Sequence, residues 1–133
     1  MEGAEAAVGC GEKVSHYTSV EEKPVPANMA TKTWIRWLIA EKDGAKNFYM
    51  RLFRVEPGGH IKPHFHPWEH EIFVIKGEGR VRIGKKTYNV REGYFLYIPP
   101  NAEHEYWADE ELWFLCMIPS RPTAEKTEAP LEC

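Results

Sequence analysis

Residues 58–79, GGHIKPHFHPWEHEIFVIKGEG, place three closely spaced histidines between two glycine-containing turns. His64 and His66 are two residues apart, and side chains at that spacing point to the same face of a β-strand. Pro67 kinks the chain after them, so that His70 can return toward the same point from the beginning of the next strand. The segment therefore predicts a strand–turn–strand unit whose histidine side chains converge.

Short apolar segments separated by turn residues continue on both sides of this unit, and none of them has a helical period. Such a pattern predicts an antiparallel β-sandwich or barrel. We expect residues 56–59 (EPGG) to end the second strand. The predicted strands cover residues 33–40, 47–55, 72–75, 80–83, 87–90, 94–98, 103–107 and 112–118.

The 133-residue chain fits one domain. We expect residues 1–32 to form an N-terminal tail and extended arm, residues 33–118 the barrel, and residues 119–133 a C-terminal tail. A net charge of −3 argues against a nucleic-acid partner, and no apolar run is long enough to span a bilayer. Three cysteines and no signal-peptide pattern favour reduced thiols and a cytoplasmic location.

His104 is the candidate fourth ligand, because it follows a turn of its own at residues 99–101 (PPN). Neutral imidazole is a good ligand for divalent first-row transition metals. An octahedral ion with four imidazoles would keep two positions open for water, oxygen or a chelating substrate. His16 and His60 lack such a context and are not predicted to be ligands. The predicted metal ligands are His64, His66, His70 and His104.

Two motifs resemble those of the cupin superfamily. The first, Gly-x5-His-x-His-x(3,4)-Glu-x6-Gly, starts at Gly58. The second, Gly-x5-Pro-x-Gly-x2-His, runs from Gly93 through Pro99 to His104, with Asn101 in place of the usual glycine. Both motifs occur in the expected order, which makes the resemblance specific.

The resemblance implies a double-stranded β-helix, or jelly-roll, barrel. The stretch HPWEHEIFV at residues 66–74 looks most like small cupins with an all-histidine site, in which the ion is typically manganese; iron, nickel, copper and zinc are the other candidates. That subgroup favours His70 as the third ligand over Glu71, and strand alternation allows only one of the two to face inward. Small cupins usually pair, so we expect a homodimer to which an arm at residues 14–32 adds a strand.

The pocket around the ion is predicted to be mainly apolar. If His104 points inward, Tyr106 does so too. The resemblance puts Phe114 and Cys116 on the pocket side of the last strand. We expect Ile61, which precedes the first histidine of the cluster, at the mouth of the pocket. Each of these side chains would fit equally well into the core of a small barrel.

These features favour a metal-dependent, dioxygenase-like oxidoreductase acting on a small apolar or aromatic substrate. The alternative is a non-catalytic cupin that carries a metal and binds or senses a small ligand. A sugar-phosphate isomerase is a third possibility and would need an inward lysine or arginine to hold phosphate. Arg51 and Arg54 lie on opposite faces of the predicted strand 47–55, so only one of them can face inward.

Overall fold

The computed structural model describes residues 10–120, which form an almost entirely β structure with two single-turn 3-10 helices, Tyr17–Ser19 and Glu41–Asp43. The strands are β1 (Lys23–Pro24), β2 (Ala30–Ile39), β3 (Phe48–His64), β4 (His70–Lys76), β5 (Glu78–Ile83), β6 (Lys86–Arg91), β7 (Phe95–Ile98), β8 (His104–Ala108) and β9 (Leu112–Pro119).

Strand β3 connects the parts of a single curled antiparallel sheet. The strand order is β6-β5-β8-β3-β9-β4-β7, while β2 pairs with β3 and β1 pairs with β2. The first part of β3 pairs with β9, and its last part pairs with β8. The strand therefore spans the barrel and places residues from β8 and β9 opposite its own.

Alternation along the strands separates the core from the outer surface. On β4, His70, Ile72 and Val74 are buried, whereas Glu71 and Phe73 are exposed. Burial of the inward apolar set is the main stabilising contribution to such a small domain. Core residues that are almost completely buried include Val55, Val74, Val81, Ile98, Leu112 and Phe114.

The prediction that residues 56–59 end the second strand is wrong. Strand β3 runs through them without a break from Phe48 to His64. Gly58 has a φ of 84°, and a Cβ on Gly59 would lie 2.5 Å from Val55 Cγ1 and 2.9 Å from the carbonyl oxygen of Thr31. The two glycines therefore permit a bend and a close backbone approach inside a continuous strand.

The N-terminal arm is more structured than predicted, and its short strand pairs within the same chain. Lys23 lies opposite Ile35 and Pro24 lies opposite Trp34. Strand β2 begins at Ala30, three residues before the predicted boundary. At the other end, β9 extends to Pro119, which the sequence assigned to the tail. Residues 1–9 and 121–133 lie outside the described part of the chain.

Candidate metal centre

Four histidines reach one side of the barrel from three strands and one connection. His64 ends β3 and His104 begins β8, and the two are direct cross-strand partners. His70 begins β4, and His66 lies in the connection between β3 and β4. Sequence-distant residues are thus brought together by strand pairing.

The imidazole nitrogens lie close enough to share one ion. Ligand atoms of His64, His66 and His104 are all within 4.8 Å of one another. His70 adjoins this triad through His66, because their Nε2 atoms are 2.8 Å apart. The ring centroids of His70 and His104 are 5.1 Å apart. Three histidines are therefore positioned for a metal site, and a fourth lies beside them.

Backbone carbonyl groups fix the tautomer of the triad. Since a carbonyl oxygen can only accept, each Nδ1 must carry the proton and donate it, which leaves the Nε2 lone pair free. This is the tautomer that a metal ligand needs. The three bonds join His64 Nδ1 to Lys62 O at 2.8 Å, His66 Nδ1 to Trp68 O at 3.2 Å, and His104 Nδ1 to Ala102 O at 2.8 Å.

Burial keeps all four imidazoles neutral near pH 7. Desolvation is the largest cause in each case, and it lowers the pKa of His66 to about 4 and that of His104 to about 3. The pKa values of His64 and His70 are lowered for the same reason. The positive charge of Arg51 lowers the pKa of His70 further. Neutral imidazoles can bind a cation without first losing a proton.

Two features of the cluster fit a bound metal ion. His104 Nε2 is buried and has no hydrogen-bond partner among the described residues. The Nε2 atoms of His66 and His70 face each other at 2.8 Å, and the His66 nitrogen is an unprotonated acceptor. Buried polar atoms are rarely left unsatisfied, and a cation would satisfy the lone pair of His104 and could replace the hydrogen bond between His66 and His70.

In the structure, His70 rather than Glu71 lies on the face of β4 that points to the histidine cluster. His70 is only 5% exposed, and its Nδ1 lies 2.8 Å from Cys116 Sγ. Glu71 is exposed on the opposite face of β4. Glu69 accepts a hydrogen bond from Tyr97 Oη at 2.8 Å. These two carboxylates thus lie outside the histidine cluster.

The two histidines that were not predicted to be ligands lie elsewhere. His60 Nε2 is 2.7 Å from Glu105 Oε2. His16 caps the first 3-10 helix by accepting a hydrogen bond from the Thr18 amide. Arg82 also donates to Glu105, at 2.8 Å. Glu105 therefore binds partners outside the cluster.

A cavity of about 350 Å³ adjoins the histidines. This volume is within the usual range for sites that hold small molecules. Most of its wall is apolar or aromatic, and the rings of Tyr106 and Phe114 stack with centroids 5.3 Å apart. The four residues that the sequence suggested for the pocket, Ile61, Tyr106, Phe114 and Cys116, all line this cavity.

Several cavity residues were not found from the sequence. Trp68 stacks on His66 with ring centroids 4.3 Å apart and an interplanar angle of 2°. Val25 and Met29 of the arm also line the cavity, although no periodic pattern marks them. Arg51 lines it too, which resolves the alternative left open between Arg51 and Arg54. The arm is thus part of the site rather than a separate tail.

The curled β-barrel and its histidine cluster define a small β protein with a candidate metal site, and comparison with known proteins gives its family. The Cupin_2 family model, described as "Cupin domain", matches residues 51–118. The chain therefore belongs to the cupin family. The predicted jelly-roll cupin barrel is confirmed.

Known relatives share this fold and differ in their described activities. The structure of the polyketide cyclase RemF from Streptomyces resistomycificus is 32% identical, with a TM-score of 0.77, over 90% of this chain and 89% of that one. The 1-methylthio-D-xylulose 5-phosphate methylsulfurylase of Rhodospirillum rubrum is 33% identical over 85 residues, which are 62% of this chain and 53% of that protein. The polyketide synthase CurC of Streptomyces cyaneus is 30% identical over 95 residues, 65% of this chain and 62% of that protein. The chain spans between about half and three fifths of the length of these two curated relatives.

Two further observations concern the cysteines and the possibility of a membrane-spanning helix. Cys10 and Cys116 are both free, and Cys133 lies outside the described residues. Within residues 10–120, no helix is long and apolar enough to cross a membrane.

Substitution of a triad histidine should remove most of the bound metal. We expect His66→Ala and His104→Ala each to lose most of the ion, since each removes a neutral nitrogen that points into the cluster. Elemental analysis of protein purified without an affinity tag measures the loss. His60→Ala is the matched control, because His60 binds Glu105 outside the cluster and should leave the metal content unchanged. Full occupancy in His66→Ala would contradict the site.

The metal-free protein should lose stability as the pH falls below neutrality. Histidines have a pKa of 6.5 when unperturbed, whereas His66 titrates near 4 in the folded protein. Between these values the unfolded state binds more protons, so the free energy of unfolding is fully retained above pH 6.5 and falls toward pH 4. Thermal denaturation in a chelator measures this slope. His66→Gln should flatten it, and an equal slope in that variant would contradict the assignment.

Proposed function

We propose that the protein is a metal-dependent cupin enzyme acting on a small aromatic or otherwise apolar substrate. One observation carries the proposal: the neutral nitrogens of His64, His66 and His104 converge within 4.8 Å of one another beside an apolar cavity of about 350 Å³. The proposed ligands are His64, His66, His70 and His104. Manganese is the expected ion on the family resemblance, with iron, nickel, copper and zinc as the other candidates.

The chain's own residues would bind and orient the substrate. Phe53 and Phe114 stack with centroids 5.1 Å apart, so they present flat apolar surfaces to a ring. Burial raises the pKa of Tyr106 well above its usual value, which keeps its hydroxyl protonated in the cavity wall. When bound, a divalent ion supplies Lewis-acid stabilisation of a substrate oxygen. The apolar wall excludes water and strengthens such polar interactions.

Ring closure of a polycarbonyl substrate is the reaction that the relatives favour. RemF, which resembles this chain over nearly its whole length, is described as a polyketide cyclase. In such a step an enol carbon of the substrate forms a bond with one of its own carbonyl carbons. Loss of water then balances the reaction, and no oxidant is consumed.

Oxygen-dependent, dioxygenase-like chemistry is the second candidate. An apolar cavity beside a metal site with open positions suits oxygen chemistry, as the sequence already suggested. The relatives compared above are named as a cyclase, a polyketide synthase and a methylsulfurylase, so they do not favour it. A non-catalytic ligand-binding role remains the alternative to both reactions.

One assay separates these possibilities. Metal-loaded protein is incubated with a linear aromatic β-polycarbonyl compound and, separately, with a catechol in an oxygen electrode. We expect a ring-closed product that has lost water, formed without oxygen uptake and lost in His66→Ala. Oxygen uptake with the catechol would instead support the second candidate. Tight binding of both compounds without turnover would contradict an enzyme and favour the ligand-binding role.

We also propose that the protein is a cytoplasmic homodimer that does not bind nucleic acid. The free Cys10 and Cys116 support the location, and the net charge of −3 disfavours nucleic acid. An exposed apolar surface on β4 and β7 supports the dimer, because large exposed apolar patches commonly mark interfaces. This β4–β7 face consists of Phe73, Ile75, Phe95 and Tyr97, which are 39–81% exposed.

A second copy of the chain fits the charges at the two ends of the β4–β7 face. Exposed Glu71 lies at one end, and exposed Lys76 and Arg91 lie at the other. A two-fold axis through the face would set the acidic end of one copy against the basic end of its partner. The proposed interface therefore leaves the arm paired within its own chain.

Phe95→Glu should convert the dimer to a monomer. Phe95 is 81% exposed, so a glutamate there leaves the fold intact but places a charge within the proposed interface. Sedimentation velocity at micromolar concentration is expected to show twice the 15.4 kDa chain mass for the wild type and one mass for the variant. Phe48→Glu is the control, since Phe48 is 62% exposed at the far end of β3. A wild-type monomer would refute the dimer.

A further inference from the structure

Arg51 projects from the first part of β3 into the cavity. It lies opposite Cys116 of β9, and both residues line the cavity. Its guanidinium carbon is 5.4 Å from the centre of the Trp37 ring and 5.1 Å from that of Phe53. The aromatic rings hold the side chain in place while leaving its charge without an acidic partner.

Arg54, on the opposite face of β3, is an arginine whose charge is balanced by nearby carboxylates. Arg54 forms ion pairs of 2.9 to 3.2 Å with three carboxylates, those of Glu22, Glu56 and Glu111. Within residues 10–120, no carboxylate lies within ion-pair distance of Arg51. The two arginines are three residues apart on the same strand, and only Arg54 has carboxylate partners.

The hydrogen bonds of Arg51 leave donors unused. Its Nη2 donates to Cys116 Sγ at 2.9 Å and lies 3.5 Å from His70 Nδ1. Its Nε is buried without a partner, and its Nη1 makes no hydrogen bond to any described residue. A partly buried cation with unsatisfied donors is costly unless an anion completes it.

The wall of the cavity offers no anion of its own. Apart from Arg51, the charged residue that lines it is Lys62, which is exposed at the end of β3. None of the lining residues is an aspartate or a glutamate, although the whole chain has a net charge of −3. The acidic residues therefore lie elsewhere, and the cavity is cationic even before an ion binds to the histidines.

We propose that Arg51 binds the carboxylate of the substrate, which makes the substrate class aromatic or otherwise apolar carboxylates. A guanidinium matches the planar geometry of a carboxylate, and the rings of Phe53 and Phe114 would receive the apolar body. The proposal rests on the proposed function in placing the substrate in this cavity, but it does not depend on the reaction type.

Binding of two matched probes tests the assignment. The full chain is titrated with 2-naphthoate and with 2-naphthamide, which have the same ring and differ in charge, and tryptophan fluorescence reports binding because Trp37 and Trp68 line the cavity. We expect naphthoate to bind about tenfold more tightly, since hydrogen bonds to charged groups are the stronger ones. The titration is run on metal-loaded and on chelator-treated protein, so that the contribution of Arg51 is separated from that of the ion.

Three variants test whether Arg51 causes the preference for naphthoate over naphthamide. Arg51→Gln should bind both probes equally, and Arg51→Lys should keep part of the preference because it retains the charge without the planar fork. Arg80→Gln is the matched control: it removes the same charge from an exposed pair with Asp109, 3.0 Å away, and should keep the full preference. Metal content of Arg51→Gln should equal that of the wild type, because Arg51 is not a ligand.

Several results would overturn the assignment. They are equal binding of the two probes to the wild type, no binding of naphthoate at millimolar concentration, and an undiminished preference in Arg51→Gln. Tighter binding of 2-naphthyl phosphate than of naphthoate would replace the carboxylate by a phosphate ester. A wild-type protein that prefers naphthoate yet binds no metal would leave Arg51 as an anion site while refuting the metal-dependent enzyme.

Discussion

The antiparallel register of β3 is the constraint on which the site depends. The same strand places His64 opposite His104 on β8 and Arg51 opposite Cys116 on β9. A slip of one residue in either pairing would turn the inward side chains to the outer surface. The bend at Gly58 and Gly59 lets one continuous strand serve both pairings. The positions of the histidine cluster and of the inward Arg51 thus both depend on the pairing of one strand.

Burial then determines what these residues can do. In water an imidazole would be partly protonated near neutrality, but inside the barrel desolvation lowers the histidine pKa values and leaves lone pairs for a cation. Backbone carbonyls select the tautomer of His64, His66 and His104, so these three histidines need no carboxylate partner for it. The same absence of carboxylates from the cavity wall leaves Arg51 without a counter-charge. The neutral histidines and the uncompensated Arg51 therefore share one cause, a buried cavity wall without carboxylates.

The sequence was informative where a local period or motif determines the structure. The spacing of His64 and His66 and the turn before His104 predicted a convergence that the structure contains. Local patterns failed where long-range packing decides: residues 56–59 contain typical turn residues, yet the flanking Val55 and His60 both pair with β2 and keep the segment within one strand. The sequence could not predict whether Arg51 faces the cavity or the outer surface, because both faces of β3 carry apolar and charged residues. The arm offered no periodicity, so its place beside the cavity depends on pairing with β2.

Family membership and substrate are determined by different parts of this chain. The barrel fold is what this chain shares with its relatives, and those relatives carry names as different as polyketide cyclase and methylsulfurylase. A divalent ion polarises oxygen atoms of many substrates and selects weakly among them. Discrimination must then come from the cavity wall, where stacked rings favour flat apolar bodies and a single uncompensated guanidinium favours an anion. We therefore expect the residues of the cavity wall, more than the histidines, to determine which substrate this protein selects.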